Sequence, residues 1–201
     1  MASSGQVVEH VVLFRARDEM ERGATEAWIE AARALSCLEG VIHLHVGAVT
    51  SCKPDEGAWS FALYGRFRDK AALQAYAVHP QHLQVVALGN ALFSDVMALD
   101  WEAHVHPSPT AASPSSLLVI FLQHCPSNDD NITTWSHNQP LSTSGPNFAP
   151  ARARGFQWGF ACLSQRREDA LHEDHMCVQM LSKSSATGNF LILDVNIGKV
   201  A

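Results

Sequence analysis

The sequence is short of paired cysteines, of basic clusters and of long apolar runs, and each shortage removes a class of protein. Its five cysteines, Cys37, Cys52, Cys125, Cys162 and Cys177, are an odd number with no C-x-x-C spacing. That pattern fits neither a disulfide framework nor a zinc knuckle, and it points to a reducing compartment. Lys and Arg number 14 against 20 Asp and Glu, for a formal charge of −6 and a pI near 6.0. No basic patch stands out, so the phosphate neutralisation on which nucleic-acid binding rests is missing. No window approaches the roughly 18 apolar residues of a membrane span. The first residues, Met1-Ala-Ser-Ser-Gly-Gln6, show neither the basic region nor the apolar run of a secretory signal, and Gly198-Lys-Val-Ala201 is not a peroxisomal address. The expectation is a cytoplasmic protein with no nucleic-acid partner and no membrane partner.

What is present is ample core material. With 47% hydrophobic and 17% charged residues over 201 positions, the chain can bury one large core or two of about 100 residues each. Val7 to Arg17 opens with the β-branched and aromatic run of an interior strand. Glu19 to Ser36 repeats Ala24, Ala27, Trp28, Ala31, Ala32 and Leu35 at spacings of three and four, which makes an amphipathic helix. Val41 to Gly47 alternates, with Ile42, Leu44 and Val46 on one face and His43, His45 and Gly47 on the other. Trp59 to Phe67 reads as a third strand. Asp69 can cap a short helix through Ala77, a further helix runs from about His79 to Leu92, and Val96 to Trp101 reads as a fourth strand. Strand, helix, strand, strand, helix, strand is the split βαβ plan, an antiparallel sheet with helices on one face.

The plan then starts again. His106 to Ser116 is rich in Pro and Ser and reads as a linker. Beyond it, Leu117 to Leu122 resembles the first strand, Phe156 to Leu163 the third, and Phe190 to Val195 the fourth. Val78-His79-x-x-His82 matches Leu171-His172-x-x-His175, and Leu99-Asp100-Trp101 matches Leu193-Asp194-Val195, at nearly the same offset. Units are therefore assigned to 5–105 and to a degenerate copy at 117–201, joined by 106–116. Between Gln123 and Gly145 the copy lacks a helical stripe and should hold an irregular segment with a weak second strand. Trp28, Trp59, Trp101 and Trp158 fall on expected core faces, and Trp135 lies in the irregular segment.

The best candidate for chemistry is Tyr76-Ala-Val-His-Pro-Gln-His82, an aromatic hydroxyl and two imidazoles at the mouth of a helix that Pro80 starts. Only the first copy holds it intact, because Asp169 stands where Tyr76 would be and the Pro is missing. The competing reading is structural, with His79 as a helix cap and Tyr76 as a core aromatic. His43-x-His45 and the H-x-x-H pairs look like metal ligands, but no third ligand stands at useful spacing and there is no H-E-x-x-H, so no metal is expected. Arg152 and Arg154 lie in a loop bearing Pro and Ala, where arginines either bind a substrate carboxylate or phosphate or tie the loop down.

Glu9-His-Val-Val-Leu-Phe14, Tyr76 to His82 and Met97-Ala-Leu-Asp-Trp101 resemble the stress-response A/B barrel domains, also called dimeric α/β barrel domains. Gly145-Pro-Asn-Phe-Ala-Pro-Ala-Arg-Ala-Arg-Gly-Phe156 resembles a stretch of their tandem plant members. The resemblance implies an α+β, ferredoxin-like tandem repeat forming a dimeric-type α/β barrel, with the sheets paired either inside one chain, as an intramolecular pseudo-dimer, or in a homodimer. At His10, Tyr76 and His82 the chain resembles a branch containing plant polyketide cyclases, which close a linear polyketide by an intramolecular aldol reaction with no metal or cofactor. Carried over, that likeness implies a hydrophobic, polyketide-like small molecule as ligand. His82 would be the catalytic base and Tyr76 would orient it, while His10, His79 and Phe61 would line the substrate. Phe61 stands where the cyclases carry a further histidine, a departure that removes one polar group from the pocket. The alternative is a non-catalytic ligand-binding or structural stress-response protein.

Overall fold

Strand β1 (Gly5–Ala16) is apolar on both faces because both are covered. Val7, Val11 and Leu13 point into a core between two sheets, while Val8 and Val12 point beneath the helices. The computed structural model describes residues 5–19, 21–54, 58–105, 114–124, 141–164 and 189–197. After β1 come helix α1 (Arg22–Ala34), a short 3-10 turn at Leu35–Cys37, β2 (Val41–Lys53) and β3 (Phe61–Phe67). Helices α2 (Lys70–Ala77) and α3 (Pro80–Leu92) follow, then β4 (Phe93–Val105). The second half contributes β5 (Ser116–Leu122), β6 (Ser142–Pro146), β7 (Trp158–Ser164) and β8 (Phe190–Asn196).

One continuous eight-stranded sheet runs β4-β1-β3-β2-β8-β5-β7-β6, and its two four-stranded halves are the two sheets that face each other across the core. Each half thus has the order fourth, first, third, second, which is the ferredoxin-like plan that the split βαβ reading implies. The halves join because β2 is long: up to Ala48 it pairs with β3, and from Ala48 to Lys53 it pairs with β8. At the other end, edge strands β4 and β6 meet through a bridge between Trp101 and Asn147, so the barrel is nearly closed within one chain. Closure leaves little edge for other chains to pair with. Trp101, Leu99, Met97, Leu117, Val119 and Phe121 fill the space between the sheets. Trp28 and Ala32 of α1 and Leu35 of the 3-10 turn cover the other face of the first sheet with Val85 and Leu92 of α3. Each large side chain so buried contributes roughly 1.5–3 kcal/mol.

Several elements differ in detail from the sequence reading. The fourth strand begins at Phe93, directly from the end of α3, and the third begins at Phe61. Ile42 is 54% exposed, because the register shifts between Val41 and His43 and takes it off the packed face that Leu44 and Val46 keep. The second strand of the copy is five residues long against thirteen in β2, as its polar sequence implies. Most of the linker, Trp135, Asp169, His172 and His175 lie outside the described residues.

Candidate active site

The loop between α2 and α3 sets the site. Asp69 caps α2, its carboxylate accepting from the Ala72 amide at 2.7 Å, and the helix then delivers Tyr76 in its last turn. The chain breaks at Val78, which is 71% exposed, and restarts with His79 as N-cap and Pro80 in the first turn of α3. The His79 ring nitrogen Nδ1 accepts from the Gln81 amide at 3.2 Å. Pro80 has no N–H to leave unpaired there. This break turns His82 back onto Tyr76, with ring centroids 4.5 Å apart.

His82 Nδ1 lies 3.0 Å from the Ala77 carbonyl oxygen. A carbonyl only accepts, so Nδ1 carries the proton and Nε2 is left with a free lone pair. Burial lowers the His82 pKa; the Ala77 hydrogen bond opposes this, and His10, Arg152 and His79 add to the lowering. The imidazole is therefore neutral at neutral pH, the form that can take a proton. Burial also raises the Tyr76 pKa, so its hydroxyl stays a donor.

His10 is the second imidazole of the site. In the pairing of β1 with β4 it stands directly opposite Asp100, on the same face. Its Nδ1 lies 2.5 Å from Asp100 Oδ1, and both residues are buried. A carboxylate accepts this hydrogen bond, which orients the ring. The His10 ring stands 6.3 Å from Tyr76 and 6.0 Å from Phe67, edge on to both.

Between helices and sheet these groups face a cavity of about 850 Å³. His10, Lys70, Gln74, Tyr76, His82, Asn90 and Asp100 are its polar lining in the first half, against an apolar wall that includes Trp28, Leu63, Val85 and Phe93. The second half also reaches it. Asn147 Oδ1 accepts from the amides of Asp100 and Ala149, at 3.2 and 3.0 Å, and its Nδ2 donates to the Phe156 carbonyl. The Phe148 amide donates to the Asp100 carbonyl at 2.9 Å. This clamp lays the segment along β4 and brings Phe148 and Arg152 to the cavity. Lys70 sits over the Phe148 ring at 4.4 Å and pairs with Glu102 at 2.7 Å.

The structure thus brings His10, Tyr76 and His82 together and leaves two predicted site residues aside. His79 is a helix cap off the cavity wall. Phe61 packs against Trp28 and Phe93, with centroids 6.2 and 6.0 Å away, behind the lining. His43 and His45 lie on the opposite face of the sheet beside Tyr64, whose ring belongs to the core between the sheets. There Arg66 donates to Glu9 Oε1 at 2.8 Å and to the Tyr64 hydroxyl at 3.1 Å. Among the described residues no group of three or more His, Cys, Asp or Glu could hold a metal ion. None of the helices described is long and apolar enough to cross a membrane.

Asp100, Phe148 and Lys70 are the site residues that sequence reasoning missed, while Arg152, read there as either a substrate contact or a loop tie, lines the cavity. Asp100 was visible only as half of a repeated Leu-Asp pair. Its partner became plain once the β1–β4 register placed it opposite His10.

A tandem ferredoxin-like barrel nearly closed in one chain, with an imidazole-lined cavity under the helices of its first half, is the class of protein these features define. Residues 8–103 match the Stress responsive A/B Barrel Domain family. The stress-response A/B barrel domain-containing protein DABB1 of Arabidopsis thaliana is 30% identical over 167 residues, covering 76% of this chain and 78% of that protein. A second stress-response A/B barrel domain-containing protein of Arabidopsis thaliana is 30% identical over 164 residues, with 75% of this chain and 62% of that protein covered. The chain belongs to the stress-response A/B barrel family. A solved structure from Fusobacterium nucleatum, provisionally named a monooxygenase, superposes with a TM-score of 0.62 at 12% identity over 96% of this chain and 93% of that one. At that identity the likeness concerns the fold, which here extends over both halves.

Proposed function

We propose that the cavity of the first half binds a hydrophobic small molecule with a methylene between two carbonyls, and that His82 is the base in its cofactor-independent cyclisation. The carrying observation is the His82 hydrogen bond to Ala77, which occupies Nδ1 and leaves Nε2 with a free lone pair on a side chain that lines the cavity. Such a methylene is acidic enough for an imidazole, and a positioned base contributes roughly a hundred- to ten-thousand-fold. Nε2 takes the proton while the Tyr76 hydroxyl donates to the enolate oxygen. The carbanion then attacks a distant carbonyl of the same molecule and a C–C bond forms. The new alkoxide recovers the proton from the imidazolium, and His82 is again neutral.

Incubation with linear polyketide acids or thioesters tests this. His82→Ala should lose at least a hundredfold in rate of cyclised product. Equal product profiles in the two proteins remove His82 from the reaction. A second reading, ligand binding without turnover, is favoured by Phe61. At the place where the cyclases carry a histidine, this chain has an aromatic packed into the core. Tight binding with no product from any member of the panel would select that reading.

A further inference from the structure

The tandem-type stretch Gly145 to Phe156 has no part in the chemistry proposed for His82, yet it is clamped against that site. Its two arginines have separate fates. Arg154 is committed: it pairs with Asp95 and lies over the Trp59 ring at 5.5 Å. Arg152 ends the 3-10 turn Pro150–Arg152, lines the cavity, and has no acidic partner among the described residues. Lys70, the other cation at this lip, is balanced by Glu102. Among the described residues the lip of the cavity therefore carries one guanidinium without an acidic partner, on a segment held by two hydrogen bonds that Asn147 Oδ1 accepts, one that its Nδ2 donates and one that the Phe148 amide donates.

We propose that Arg152 is the head-group anchor of the cavity and that the ligand is an apolar chain or ring ending in a carboxylate. This rests on the reading of the cavity as a small-molecule site. A guanidinium presents paired N–H donors in the plane that a carboxylate matches. The carboxylate head is preferred over a phosphate because the cavity already holds the Asp100 carboxylate and, among the described residues, offers just one cation without an acidic partner. A dianion would meet repulsion without a second charge to offset it. In this arrangement the apolar body lies against Trp28, Leu63 and Phe93, and the acid end remains at the lip between Phe148 and Arg152. The degenerate half then has a use: it supplies the residue that selects the ligand of the intact half.

Calorimetric titration of the full chain with decanoate and with its neutral isostere decanamide tests the inference. Wild type should bind decanoate about tenfold more tightly than decanamide. Arg152→Gln should bring the ratio near one while leaving decanamide within about twofold, and Arg152→Lys should keep most of the preference. Raising the salt should shrink the ratio in wild type, because the anchor is exposed. Val86→Trp, at an exposed lining position, should weaken both ligands by filling the mouth. Equal affinities for acid and amide in wild type, or a preference that survives Arg152→Gln, overturn the anchor and leave the cavity standing as a binding site. Binding of neither ligand overturns both readings, and binding untouched by Val86→Trp places the ligand elsewhere and overturns the anchor.

Discussion

The indole of Trp101 lies where a side chain at Gly159 would have to be: a Cβ built on Gly159 would stand 2.4 Å from Trp101 Cε3. Trp101 belongs to the first half and Gly159 to the second, so a large residue in one copy is received by the lack of a side chain in the other. Trp101 is fully buried, with Leu99 and Met97 beside it on β4. Gly145 plays the same part on β6, where a Cβ would meet the Glu102 carbonyl at 2.7 Å.

Gly159→Val should destabilise the protein by about 1–3 kcal/mol, since the ring cannot move without opening the barrel. Thermal or urea unfolding reads the loss. Trp101→Leu in the same chain should recover part of it, a coupling expected for residues in direct contact. Additive effects would show that the contact does not matter.

Asn147→Ala should cost about 1–3 kcal/mol by leaving the Asp100 and Ala149 amides and the Phe156 carbonyl without their partner. It should also loosen Phe148 and Arg152 at the cavity lip. Amide hydrogen exchange over 147–156 is the direct measurement, and unchanged protection would sink the clamp.

Asp100→Ala leaves the buried His10 ring without its acceptor and should lose about 1–3 kcal/mol. Asp100→Asn retains an acceptor oxygen and should lose less. Urea midpoints at neutral pH separate the two, and equal losses would mean that packing alone matters at this position.

Acid should destabilise the fold through His43. Burial, then the charge of Arg66 and the neighbouring His45, lower its pKa from the ordinary 6.5 to about 3. Between those values the unfolded chain binds a proton that the folded chain does not, so stability falls as pH falls. His45 is shifted the same way, by burial and by Arg33 and Arg66. Among the facing groups, Arg66 donates to Glu9 Oε1 and to the Tyr64 hydroxyl, and His43 Nε2 is buried with no hydrogen-bond partner. Between pH 7 and pH 5 wild type should lose more stability than His43→Gln, measured from urea midpoints. Parallel losses in both proteins would exclude His43 as the source.

Much of the candidate site was legible in the chain because it is local. Asp69, Pro80 and the seven residues from Tyr76 to His82 specify cap, break and helix start within one stretch, and those preferences act over three or four residues. The capping role of His79 was equally readable, as the alternative to substrate contact. Phe61 was placed on the right strand. Its packing behind Trp28 and Phe93 could not be seen from the strand alone, since a period of two gives the face and not the depth.

By itself the sequence determined the elements, the repeat and the weakness of the second copy, because alternation, helical spacing and turn residues are nearest-neighbour properties. Tertiary structure decided what lies across from what. Strand register put Asp100 opposite His10 and sent His43 and His45 to the face away from the cavity. The extra length of β2 and the fit of Trp101 against Gly159 joined the halves within one chain. That joining carried Phe148 and Arg152 to a site whose other residues lie in the first half. Such pairings depend on contacts between residues far apart in the chain, such as Asp100 with Asn147 and His10 with Asp100. No local preference encodes them: His10 meets Asp100 only when β1 and β4 pair, and Asp100 meets Asn147 only when the two halves close on a shared core.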